Sequence, residues 1–127
     1  MTPEVEHAIA ELRETWPESE LTVKPDPQGG ALVVLETVPL FPPYAQVTSW
    51  IGFLLSFQYP YADVYPHFVR GDLARSDGKA LGEAMTVTTF DGRPAIQVSR
   101  RSNRHEPEFQ TAAIKLHKVL EWMKTRP

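Results

Sequence analysis

Apolar positions recur along this chain in two rhythms, and the rhythms predict its elements. Val5, Ile9, Leu12 and Trp16 share one face of an amphipathic helix over about Pro3 to Trp16. Thr2 caps it, Pro3 suits its first turn, where a missing N–H costs nothing, and Pro17 ends it. Leu21-Thr22-Val23-Lys24 then alternates in strand fashion, Pro25 to Gly30 is a turn by its chemistry, and Ala31 to Val38 is rich in Val and Leu, which together predict a hairpin. Gln46 to Phe57 is a third extended segment. Its apolar run admits a helix, but Val47, Thr48, Trp50, Ile51, Phe53 and Phe57 favour strand. Tyr59-Pro60 and Tyr65-Pro66 cannot continue a central strand, because each proline removes a ladder donor. Residues 67–72, Met85 to Phe90 and Ile96 to Ser99 are further extended segments, the last two separated by Asp91-Gly92-Arg93-Pro94. Phe109, Ala112, Ala113, Leu116, Val119, Leu120 and Met123 return to helical spacing and predict a helix from about Glu106 to Lys124. The order is helix, antiparallel meander, Tyr-Pro loop, extended segments, helix, an α+β fold in one domain over residues 1–127.

Composition sharpens this picture in one respect. The 127 residues are 42% hydrophobic and 23% charged, as ordered globular domains are, but contain no cysteine. That excludes disulfides, thiolate metal sites and a thiol nucleophile. The start, Met1-Thr2-Pro3-Glu4, has neither the basic nor the apolar part of a leader, and no apolar run approaches the ~20 residues of a membrane span. A soluble, cytoplasmic protein with no membrane partner is the expectation.

Charge is distributed unevenly. Residues 1–92 carry 5 Lys and Arg against 13 Asp and Glu, a balance of −8, whereas residues 93–127 carry 8 against 3, a balance of +5. Such asymmetry fits two faces with different partners, or complementarity within the fold. The basic run Ser99-Arg100-Arg101-Ser102-Asn103-Arg104-His105 holds three arginines but no aromatic residue for base stacking, and the chain as a whole is acidic. It therefore reads as a docking surface for an acidic protein partner through Arg100, Arg101 and Arg104, not as a nucleic-acid site. A solvated loop capping the last helix through Ser102 or Asn103 accounts for the same residues.

Little else carries chemistry. His7, His67, His105 and His117 have no metal-ligand spacing, so neither a metal nor a cofactor is expected. Gly29-Gly30 lacks the Lys-Ser/Thr sequel of a phosphate loop, and no serine occupies a nucleophile elbow.

The element order, the pairs Tyr59-Pro60 and Tyr65-Pro66 with the flanking Phe57, and the segment Gly92-Arg93-Pro94-Ala95-Ile96-Gln97-Val98 resemble the ubiquitin-conjugating enzymes and their non-catalytic RWD relatives. In catalytic members that segment presents a cysteine that carries the modifier as a thioester. The resemblance puts Ala95 at the cysteine position, where alanine has no nucleophile, so residue 95 is either an engineered change or the mark of a natural pseudoenzyme. It implies an acyl-transfer site in which Asn103 supplies an amide donor and Asp91 or His105 handles a proton. It also implies a ubiquitin-like protein and an activating enzyme as partners, the latter docking on the first helix, with Glu4 and Glu11. The usual His-Pro-Asn triplet is missing, with Thr88-Thr89-Phe90-Asp91 in its place. The compact form is similar to bacterial conjugating-enzyme-like proteins encoded beside ubiquitin-like modification genes, some implicated in antiphage defence. A non-catalytic RWD-like module, or a chaperone-like domain binding through its apolar sheet, is the alternative.

Overall fold

The computed structural model describes residues 1–102, 104–107 and 110–127. It is an α+β fold in which helix α1 (Pro3–Thr15) precedes six strands and helix α2 (Ala112–Lys124) follows them. The strands are β1 (Leu21–Pro25), β2 (Ala31–Pro39), β3 (Thr48–Leu55), β4 (His67–Arg70), β5 (Met85–Phe90) and β6 (Arg93–Val98). They form one antiparallel sheet in the order β1-β2-β3-β4-β6-β5. No helix among the described residues is long and apolar enough to cross a membrane.

Both helices cover one face of this sheet. Thr2 caps α1 through its hydroxyl, which accepts the Val5 N–H at 3.1 Å. The helix then buries Val5, Ala8, Ile9 and Leu12, the three larger side chains contributing about 2 kcal/mol each by removal from water. In α2, Ala112, Ala113, Leu116, Val119 and Met123 face the same core, opposite Val33, Leu35, Ile51, Phe53, Leu55, Val69 and Val98. Alternate positions of each strand feed this layer.

The helix α2 starts later than its apolar spacing predicts. Thr111 is the cap, its hydroxyl accepting from Ile114 N–H at 3.3 Å, so Glu106 and Pro107 lie outside the helix and Ser102 does not cap it. Strand boundaries also move. β3 begins at Thr48 and ends at Leu55, and β4 ends at Arg70.

β6 begins at Arg93, so the connection from β5 is the two-residue turn Asp91-Gly92, with φ +49° and +77°. A turn with both central residues left-handed matches the twist of a hairpin, and Asp-Gly is a preferred sequence for it. Pro94 is tolerated inside β6 because β4 pairs with β6 only as far as Arg70 opposite Ala95. Beyond that point Gly71 passes so close to Pro94 that a side chain at 71 would overlap it.

This hairpin curls over the far face of the sheet. Phe90 lies on Gly52 of β3 with no room between them for a Cβ, and its ring stacks on Phe68 (centroids 4.5 Å) and Trp50 (6.1 Å). Val34 and Ala95 are buried beneath, and Leu32 flanks them. Arg93 stands over Trp50 at 5.1 Å and forks onto Glu36 at 2.8 and 2.9 Å. At the tip, Asp91 accepts from Lys24 of β1 at 2.7 Å. The outer face thus carries a small core of its own.

Candidate functional site

The loop after β3 is pinned to α2 by its first Tyr-Pro pair. Tyr59 is buried, and its hydroxyl oxygen accepts from the Ala112 N–H at 3.1 Å, one of the first-turn amides that the helix itself leaves without a partner. Burial pushes the Tyr59 phenol up. His105 Nε2 lies 2.7 Å from the Pro60 carbonyl oxygen. Since a carbonyl only accepts, that nitrogen carries the proton.

Between the two Tyr-Pro pairs, Asp63 gathers donors. It accepts the Ser102 N–H at 2.9 Å, the Ser102 hydroxyl at 3.1 Å and Lys115 Nζ at 3.0 Å. The Ser102 oxygen in turn accepts from Lys115 at 2.8 Å and from the Gln110 amide, and Gln110 Oε1 accepts from Lys118 at 2.7 Å. Burial raises the Asp63 pKa, but these donors outweigh it and hold the carboxyl below its ordinary value. For Lys115 the balance falls the other way, burial pulling its pKa down against the pull of Asp63. The Lys115 side chain is only 3% exposed, so its charge depends on Asp63.

His67 sits beneath this pair and joins none of its bonds. Its ring is fully buried against Phe53, with centroids 5.1 Å apart, and neither nitrogen has a partner among the described residues. Burial, with help from the Lys115 charge and against Asp63, pulls its pKa down to about 3. The ring is neutral at ordinary pH.

Above Ser102 a groove of about 600 Å³ opens between α2 and the segment after β6. Arg100, Arg101, Arg104 and Lys118 line it, and Trp122 forms part of its wall. Glu121 is the only acidic lining residue among the described residues, and it pairs with Lys124 at 2.8 Å. Arg101 lies 4.5 Å over the Tyr65 ring, and Trp122 is met by Arg126 at 3.9 Å and Arg100 at 5.8 Å. Arg104 is exposed and reaches Glu106 at 3.1 Å.

The residues singled out in the sequence fall in different places. Ala95 is 1% exposed on β6, one strand in from the β5 edge, under the outer-face aromatic cluster. Asp91 caps the same hairpin at its salt bridge to Lys24. His105 is held on the helix side by Pro60, 3.8 Å from Asp63. Asn103 lies outside the described residues. Ala95 and Asp91 therefore share one side of the sheet and His105 the other. Arg100, Arg101 and Arg104 do come together, in the groove. Glu4 is exposed on α1, whereas Glu11 accepts from the Thr111 hydroxyl at 2.5 Å and ties α1 to the cap of α2.

Asp63, Gln110 and Lys115 are functional candidates that spacing alone does not select. One signal was available: Lys115 interrupts the apolar stripe of α2 between Ala112 and Val119, and a charge there needs a buried partner. Among the described residues no three His, Asp or Glu side chains converge as metal ligands. Comparison with family models, with curated proteins and with solved structures finds no match to this chain.

Proposed function

We propose that this protein is a non-catalytic interaction module of the ubiquitin-conjugating-enzyme-like superfamily, binding an acidic segment of a partner protein in the groove beside α2. The observation that carries the proposal is the convergence of Arg100, Arg101, Arg104 and Lys118 on one groove of about 600 Å³. Its floor is braced by the Asp63–Ser102–Lys115 network, which fixes the basic segment while Asp63 stays out of the groove lining. Arginine forks suit carboxylates. Trp122, already engaged by two guanidinium groups, is a poor platform for a nucleobase. The helix–sheet–helix order and the Tyr59-Pro60 brace support membership of the superfamily.

One feature favours groove binding over both acyl transfer and the chaperone-like reading. A side chain at residue 95 is sealed by Phe90, Phe68 and Trp50, and a thioester there requires that cluster to open. The same cluster fills the outer face that a chaperone-like reading would use for a client.

Titration with a synthetic Glu/Asp-rich peptide tests the reading. Saturable binding is expected, weakening about tenfold or more between 50 and 300 mM salt and on charge reversal at Arg100 and Arg101. Absence of binding at low salt, indifference to the reversal, or tighter binding of a single-stranded oligonucleotide would overturn it. Thioester formation by Ala95→Cys with an activating enzyme and a ubiquitin-like protein would restore the carrier reading.

A further inference from the structure

The sequence protects the two edges of the sheet unequally. β1 carries Lys24 and ends on Pro25, both of which discourage pairing with another chain. β5 reads Met85-Thr86-Val87-Thr88-Thr89-Phe90, with no charge, proline or glycine, and its threonines, valine and phenylalanine favour extended pairing.

The backbone of β5 is oriented by its hairpin. Phe90 opposite Arg93 closes the two-residue turn, and at the far end Ser99 N–H donates to the Ala84 carbonyl at 2.7 Å. In an antiparallel ladder bonded and non-bonded pairs alternate, so the even-numbered residues bond to β6. Met85, Val87 and Thr89 aim their N–H and C=O groups away from the sheet. Among the described residues no strand or bridge meets them. Val87, at their centre, is 85% exposed, more than any other large hydrophobic side chain described.

We infer that β5 pairs antiparallel with β5 of a second copy of this chain about a two-fold axis, joining two six-stranded sheets edge to edge. Pairing outward residues with outward residues sets the register. Val87 of one protomer lies opposite Val87 of its partner, Met85 opposite Thr89, and Thr86 opposite Thr88. Three bonded pairs supply about six backbone hydrogen bonds, and the two valines cover one another. A second copy fits this edge because an uncharged strand opposes no like charges within the pairing when it meets itself, and the two-fold closes the contact after one partner. At its ends, Asp91 is held by Lys24 at 2.7 Å and Glu83 lies beyond the left-handed residue Ala84 (φ +67°). A contact of this size is smaller than the ~1,600 Å² of a stable interface, so the dimer is weak and concentration-dependent.

Sedimentation velocity over about 5 μM to 1 mM reads the equilibrium. The native chain is expected to shift from monomer to dimer across that range. Val87→Pro removes an outward N–H while sparing the bonds to β6, and Val87→Lys sets two ammonium groups against each other. Each is expected to weaken dimerisation at least about tenfold. Circular dichroism checks the fold, and Val87→Lys carries the test if the proline variant does not fold. A native chain that stays monomeric at the top of the range would overturn the inference, as would a dimer that both folded variants leave intact. The groove beside α2 is not involved, so peptide binding by Val87→Lys keeps the two proposals separable.

Discussion

Residues 95 and 63 sit on opposite sides of the same sheet, and each is enclosed by a loop or hairpin folded across it. Around Ala95 the enclosure is carbon: Phe90 lies over Gly52 and stacks on Phe68 and Trp50, with the Arg93–Glu36 fork at the rim. Around Asp63 it is a set of donors from Ser102 and Lys115, reached from chain segments 39 and 52 residues away. The first enclosure stabilises by excluding water and leaves nothing for a ligand to meet. The second buries a charge pair, which gains little net stability but holds the arginine-bearing segment in one place. A site is more credible where burial has a cost than where burial is the gain.

The largest effect should come from breaking the polar enclosure. Asp63→Ala leaves Lys115 buried without its carboxylate, and unfolding in urea should show a loss of about 3 kcal/mol, the lower end for a buried pair because Asp63 is itself partly exposed. Peptide binding in the groove should fall with it. A loss below about 1 kcal/mol would place this pair with surface salt bridges and erase the contrast.

The helix-side face also responds to pH, through His67. Its folded pKa of about 3 lies below the ordinary 6.5, so between these values only the unfolded chain takes up the proton. Stability from its neutral burial is complete above pH 6.5 and is lost as pH falls toward 3, by up to about 1.4 kcal/mol per pH unit. The lowered Asp63 pKa adds a loss of the same sign at lower pH. His67→Leu should remove most of the slope between pH 6.5 and 4.5. At pH 7 it should be at least as stable as the native chain, since it deletes two buried nitrogens that have no partner among the described residues. Parallel stability curves for the two proteins would show that His67 is not buried neutral.

The smallest effect probes the apolar enclosure. Gly52→Ala drives a methyl group into the Phe90 ring and should cost about 1–2 kcal/mol by overpacking. Combining it with Phe90→Leu should recover part of that cost, a coupling measurable in a double-mutant cycle. Additive costs would mean that the ring does not rest on Gly52.

Much of the fold was legible because it is local. The face Val5–Ile9–Leu12 and the alternation of β1 and β2 need no knowledge of distant residues. The errors lie where a non-local partner decides. Pro94 reads as a break until Gly71 and the end of β4 are placed beside it. The helix α2 begins at Ala112, with Tyr59 bonded to its first amide and Glu11 to the hydroxyl of its cap Thr111, and nothing near Thr111 in the chain announces either. The arginine groove was legible as a cluster of like charges, whereas the Asp63 network joins four separate stretches. Ala95 was selected by a motif of neighbours along the chain, while its burial is decided by Phe90 folding back across the sheet.

The Asp91-Gly92 turn has a further consequence, in the order of folding. The β5–β6 hairpin closes over two residues and can form early, but its tip bonds to Lys24, 67 positions earlier. Contacts of that separation are rewarded only after the intervening chain is ordered. The tip is therefore a late clasp. Weakening it through Lys24 should speed unfolding and leave the folding rate almost unchanged.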